Sequence, residues 1–142
     1  MIVLDTNVIS ACMRPASNRA VIGWLNAQAP ESLWTTTVSL FEARYGIECL
    51  IGEDRRGPLD QVWRKMAEDI FENRILTFDA AAAQAAALIA AERQKKRRAV
   101  DFRDTFIAGI CLSRKARLAT RNTRDFADAG IPLVDPWKAG KE

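Results

Sequence analysis

The chain has 142 residues, enough for one domain whose core needs neither disulfides nor structural metal. Its composition, 49% hydrophobic and 27% charged, excludes general disorder. It contains no histidine, which excludes a Ser-His-Asp triad, an HExxH zinc site and any imidazole proton shuttle. Cys12, Cys49 and Cys111 are odd in number and too far apart for a CxxC motif, so a disulfide framework is not expected and a reducing cytoplasm is. The amino terminus has no basic n-region and no long apolar h-region, unlike a signal peptide. The most apolar stretch, Ala80–Ala91, is short, mostly alanine and interrupted by Gln84. A membrane helix needs about 20 strongly apolar residues, so no membrane association is expected.

Ile2-Val3-Leu4 reads as a strand buried on both faces of a parallel sheet. A helix is expected from about Thr6 to before Pro15, and another over Asn18–Ala29, stopped by Pro30. Leu33-Trp34-Thr35-Thr36 reads as a second strand. Leu40, Ala43, Ile47 and Leu50 then form a helical stripe that ends near Ile51. Gly52–Pro58 reads as a polar turn and Leu59–Phe71 as an amphipathic helix. Ile75-Leu76-Thr77-Phe78 is the third strand, followed by an alanine-rich helix that Asp79 can cap. A helix over Asp104–Lys115, a fourth strand at Leu118-Ala119-Thr120 and a fifth at Pro132-Leu133-Val134 complete the chain. Strands alternating with helices predict an α/β fold with a parallel sheet, as one domain over residues 1–142 with no repeat or linker.

Three acids stand out against this frame. Asp5 directly follows the first strand, and ligands of open parallel sheets bind at the carboxyl ends of strands. Capping of the helix that starts at Thr6 explains Asp5 equally well. Glu42 completes Ser39-x-x-Glu42, a capping-box spacing, and on spacing alone that structural role is preferred. Asp104, Ile107, Ala108 and Cys111 share one helical stripe, so the Asp104 carboxylate lies on the face expected to meet the core. Burying it is costly unless it is paired, hydrogen-bonded or bound to a cation, which favours a ligand role. Asn122 lies beyond the fourth strand as Asp5 lies beyond the first, and Asp125 precedes Phe126 as a helix cap would. Neighbouring Thr and Asn side chains can orient carboxylates around a metal. If Asp5, Glu42 and Asp104 converge, the oxygen-only cluster selects Mg²⁺ or Mn²⁺. Such a cation suits phosphodiester hydrolysis, since it activates water and neutralises phosphoryl charge.

Charge is divided unevenly. Residues 93–124 hold eleven Lys/Arg and only Asp101 and Asp104 as acids, a balance of +9, while the remainder of the chain is net negative. The split predicts a polyanionic partner, with Lys95, Lys96, Arg97, Arg98 and Arg121 as phosphate-binding candidates. A solvated helix end accounts equally well for Arg93–Arg98 taken alone.

The sequence resembles a PIN domain. The resemblance is carried by Asp5-Thr6-Asn7-Val8-Ile9 after a short strand, by Glu42 within Ser39–Gly46, by Asp104-Thr105-Phe106-Ile107-Ala108 and by Thr120–Phe126. Within that family it is similar to the VapC toxins of type II toxin–antitoxin systems. The FitB-like branch is indicated by Asn7-Val8-Ile9-Ser10, Arg14-Pro15 and Asp135-Pro136-Trp137. The resemblance implies a three-layer α/β/α sandwich around a parallel sheet and a Mg²⁺-dependent endoribonuclease. It implies metal ligation chiefly by Asp5 and Asp104, with Glu42 completing the acidic triad directly or through water. It also implies homodimers, inhibition by a small antitoxin, and contact with operator DNA only through that antitoxin. Relatives often carry a fourth acid where this chain has Asn122. Asn122 is expected to orient the carboxylates, with Thr6, Asn7, Thr120 and Asp125 in support.

The sequence disfavours two other readings. A PIN-like module that grips RNA or an antitoxin without cutting is disfavoured by retention of Asp5, Glu42 and Asp104. A phosphotransfer domain with an Asp nucleophile is disfavoured because Asp5-Thr6-Asn7 lacks the second acid of a DxD motif. Trp24, Leu59 and Trp63 are candidates for protein contacts, and equally for the core.

Overall fold

The computed structural model describes residues 1–140, so Lys141 and Glu142 of the expected 1–142 domain lie outside the described residues. Strands β1 (Ile2–Leu4), β2 (Leu33–Thr36), β3 (Ile75–Leu76), β4 (Arg117–Ala119) and β5 (Leu133–Val134) form one parallel sheet ordered β3-β2-β1-β4-β5. Val3 pairs with Trp34 on one side and Leu118 on the other. The chain runs outward from β1 through β2 and β3, then returns to the opposite side of β1 as β4. The carboxyl ends of β1 and β4 thus flank the point where strand order reverses, the place where such sheets bind ligands.

Successive strand residues face opposite layers, and the core is divided accordingly. Leu4 and Ala119 pack with Val8, Val21, Ile47, Trp63 and Met66, from α1 (Thr6–Cys12), α2 (Arg19–Asn26), α3 (Thr37–Glu48) and α4 (Glu53–Met66). Val3 and Leu118 pack with Ala82, Ile89, Ile107 and Phe126, from α5 (Ala80–Lys95), α6 (Phe102–Arg114) and α7 (Thr123–Phe126). The result is the three-layer α/β/α sandwich expected from the sequence. Trp63 is buried in the first core, and Trp24 and Leu59 pack against it, so these three are occupied within the chain.

The alanine-rich sequence of α5 permits an unusually close approach by α6. A Cβ at Gly109 would lie 2.6 Å from the Ala82 carbonyl oxygen and 2.7 Å from the Ala86 Cβ. This contact fixes the height of α6, and with it Asp104, above the sheet.

Three local expectations are corrected. Gly52–Pro58 is not a turn: α4 begins at Glu53 and runs through Pro58. Proline there forfeits one backbone bond, but burial of Trp63 and Met66 further along holds the helix. The capping box at Ser39 is also absent. Helix α3 starts earlier, at Thr37, and Thr36 Oγ1 accepts from the Ser39 amide at 3.0 Å, which leaves Glu42 beyond the first turn. Finally, α6 begins at Phe102, capped by Asp101, whose Oδ1 accepts from the Asp104 amide at 3.1 Å.

Candidate active site

Asp5 ends β1 and caps α1. Its amide donates to Ala119 O at 3.0 Å, extending the β1–β4 ladder, and its Oδ1 accepts from the Thr6 amide at 2.8 Å. Oδ2 accepts from the Thr120 hydroxyl at 2.7 Å and from Asn7 Nδ2 at 3.4 Å. The side chain is therefore pinned from both strands while only 4% exposed. The cap occupies one oxygen and the Thr120 hydroxyl contact the other. Burial raises the Asp5 pKa, the Thr120 and Thr6 hydrogen bonds pull it back, and the charges of Glu42 and Asp125 push it up again.

Glu42 reaches this group from α3. Its Oε1 accepts from the Thr6 hydroxyl at 2.9 Å, and Arg103 lies 3.7 Å from its Oε2. Asp104 approaches from the first turn of α6. Its pKa is raised to about 6, first by burial and then by the charges of Asp101, Asp5, Asp125 and Glu42. The acids from four segments thus act on one another electrostatically, as their convergence requires.

The supporting polar residues form a connected frame. Asn7 donates to Thr120 Oγ1 at 3.4 Å and accepts from the Arg121 amide at 3.3 Å. Thr120 Oγ1 also accepts from the Asn122 amide at 3.0 Å. Asn122 enters this frame through its backbone. Its side chain is exposed and makes no hydrogen bond among the described residues. Asp125 lies within α7 rather than capping it, and its charge is felt at both Asp5 and Asp104.

Asp101, Asp104 and Asp125 line a cavity of about 300 Å³ together with Arg93 and Arg98. Every candidate ligand is a hard oxygen donor, and burial, with mutual repulsion added, raises Asp5 and Asp104. This donor set and charge suit a hard divalent cation. Among the described residues no group of three His, Cys, Asp or Glu side chains is arranged to hold a metal ion. The fit therefore rests on donor chemistry and charge rather than on a closed cage.

The basic candidates divide. Lys95 is exposed and lies 3.4 Å from Glu92, while Lys96 and Arg97 are exposed. Arg98 lies 3.1 Å from Asp128 and remains half-exposed. Arg121 is exposed, with its guanidinium 4.9 Å from the centre of the Trp137 ring. Arg93 is different, being only 5% exposed. It donates to Asp128 at 2.9 Å, to the Asp125 carbonyl at 2.7 Å and to the Thr105 hydroxyl at 3.3 Å, joining α5 to α6 and α7. Sequence reasoning missed this clamp, although Ala82, Ala86, Ile89 and Arg93 fall on one helical stripe. Asp101 and Arg103 were missed too, and their proximity to Asp104 in sequence was the available signal.

Comparison with known proteins agrees with the geometry. The PIN domain family profile matches residues 2–132. The chain is 38% identical to the plasmid stability protein StbB of Pseudomonas syringae pv. tomato, over 98% of this chain and 100% of that one. It is 30% identical to the VapC ribonuclease Y4jK of Sinorhizobium fredii, over 97% and 99%. The toxin FitB of Neisseria gonorrhoeae is also 30% identical, over 96% and 99%. In the crystal structure of FitAcB from that organism, a chain 30% identical superposes with a TM-score of 0.86, covering 96% of this chain and 99% of that one.

Proposed function

The chain belongs to the PIN domain family, and on that premise we propose that it is a divalent-metal-dependent endoribonuclease, the toxin of a type II toxin–antitoxin pair. The observation that supports this reading is the placement of Asp5, Glu42, Asp104 and Asp125 where strand order reverses, close enough that burial first and the charges of Asp101, Asp5, Asp125 and Glu42 second raise Asp104 to about 6. The names of full-length relatives, a VapC ribonuclease and a toxin, support it.

In this reading Asp5 and Asp104 hold Mg²⁺, with Mn²⁺ as a substitute, and Glu42 completes the acidic set. A bound cation supplies an activated water and neutralises charge building on the phosphoryl oxygens. Thr120, Thr6 and Asn7 fix the carboxylates beforehand, so that little reorganisation accompanies metal binding. Asp125 supplies the fourth negative charge, while Asn122 shapes the loop through its backbone. Lys95, Lys96, Arg97, Arg98 and Arg121 hold the RNA backbone.

The proposed partners are an RNA substrate, a cognate antitoxin and a second copy of the chain. Operator DNA is reached only through the antitoxin; a FitAB complex bound to a DNA fragment is among the solved structural relatives, with a TM-score of 0.84 and 30% identity over 96% of both chains. Among the described residues no helix is long and apolar enough to cross a membrane.

The test is incubation of the purified protein with a fluorescent RNA over a Mg²⁺ titration, with EDTA as control. Cutting that EDTA abolishes supports the proposal. RNA binding without cutting at any Mg²⁺ concentration contradicts it.

A further inference from the structure

A second cavity of about 470 Å³ adjoins the acid-lined one and shares Arg98 and Ala99 with it as a common wall. Its lining carries no acid. Ala90, Gln94, Arg97, Val100 and Phe102 complete that lining, which keeps two guanidinium groups and adds an aromatic ring. Among the described residues the Arg97 side chain has no hydrogen-bond or ion-pair partner. Its backbone is held in the left-handed region at φ 55°, where the chain turns between α5 and α6. Phe102, the first residue of α6, is 66% exposed. One neighbour of its ring is Phe106, stacked at a centroid distance of 6.2 Å. An exposed aromatic beside an unpaired arginine, one wall away from the acids, matches the two needs of an unpaired nucleotide. Its base requires a stacking surface and its phosphate a cation.

We propose that the cleft bounded by Gln94, Arg97, Arg98 and Phe102 seats the nucleotide next to the scissile phosphate, with its base stacked on Phe102 and its phosphate paired with Arg97. This rests on the ribonuclease reading and adds to it the side chains that hold the flanking nucleotide. The same geometry assigns Arg98 a double duty, since it spans both cavities while held by Asp128 at 3.1 Å.

The experiment measures fluorescence anisotropy of the full chain in EDTA, where cutting is suppressed, with a short labelled oligouridylate and an abasic oligomer of equal length. Phe102→Ala should weaken oligouridylate binding roughly tenfold, leave abasic binding unchanged and be rescued by Phe102→Tyr. Arg97→Gln should weaken both probes and reduce the slope of log affinity against log salt by about 0.7, the value for one phosphate contact on a single strand. Unchanged oligouridylate affinity in Phe102→Ala overturns the proposal, as does wild-type protein that binds neither probe. A change only in sedimentation, with binding intact, assigns the ring to a contact between protein chains and equally overturns it. Cutting with Mg²⁺ is scored separately. Wild-type protein that binds as described but never cuts defeats the ribonuclease reading alone.

Discussion

The Thr120 hydroxyl donates to Asp5 Oδ2 at 2.7 Å and joins the end of β4 to the end of β1 through side chains. Both residues are buried, so the bond is poorly replaced by water. Thr120→Val keeps the shape and removes the donor. It should lower Mg²⁺ affinity or RNA cleavage by roughly 10–100-fold, as loss of a group that orients a metal ligand does. It should also cost about 1–3 kcal/mol in denaturant unfolding, because a buried carboxylate oxygen loses the shorter of its two hydrogen bonds. Thr120→Ser should retain both activity and stability.

Glu42 accepts from the Thr6 hydroxyl through one oxygen and faces Arg103 with the other. Glu42→Gln preserves an acceptor for Thr6 and removes the charge. Thermal stability of the metal-free protein should therefore be maintained or raised, since Asp5 and Asp104 both lose a repulsive neighbour. Cleavage should fall sharply. Full cleavage in this variant confines Glu42 to a structural role.

Much of this site is legible in the sequence because each acid follows a strong local signal. Asp5 follows an apolar run, and Asp104 shares the stripe of Ile107, Ala108 and Cys111, all buried in the structure. Strand order is less accessible, since four-residue apolar runs carry no information about their neighbours. Spacing alone misplaces Glu42 because Ser39-x-x-Glu42 and Thr36-x-x-Ser39 both suit a helix start. The second wins because Thr36 ends β2 and the chain must turn there. Pro58 reads as a boundary in the sequence because local propensity opposes a helix, whereas core burial of Trp63 and Met66 overrides it. The Arg93 clamp depends on Asp128, distant in sequence, and no local pattern announces a partner that far away.

Asn122 and Asp125 make separable predictions. The Asn122 side chain contacts neither Asp5 nor Asp104 through a hydrogen bond, whereas the Asp125 charge raises both. Asp125→Asn should raise the Mg²⁺ concentration needed for half-maximal cleavage, and Asn122→Ala should change it little. The reverse order, measured in parallel titrations, returns the fourth position to Asn122.

Arg93 should behave unlike its basic neighbours. Its bonds to Asp128, the Asp125 carbonyl and Thr105 are largely shielded, so although Arg98 still pairs with Asp128, Arg93→Gln should cost about 1.5–3 kcal/mol in denaturant unfolding. Neutralising Lys95 and Lys96 should leave stability nearly unchanged and flatten the salt dependence of RNA binding. A stability loss confined to the lysine variants contradicts this division.

Asp104 titrates near 6 in the folded protein, against an ordinary value of 3.8. Between those values the folded state binds more protons than the unfolded chain, so this group's contribution to stability is lost as pH rises from about 4 to 6. In EDTA, Asp104→Asn should match wild type below about pH 4 and become the more stable protein as pH rises through that window. Parallel urea titrations at pH 4 and pH 7 measure the difference. An Asp104→Asn variant that is less stable at both values contradicts the assigned environment.

The most direct measurement of the central claim is Mg²⁺ binding by isothermal titration calorimetry to the wild-type chain and to Asp5→Asn and Asp104→Asn, each paired with RNA cleavage at saturating metal. Wild type should bind Mg²⁺ with proton release that grows as pH falls toward 6, and should cut. Each variant should remain folded by circular dichroism, bind Mg²⁺ more weakly and fail to cut. Wild-type Mg²⁺ affinity and cleavage in either variant would contradict the assignment of Asp5 and Asp104 as the metal-holding pair.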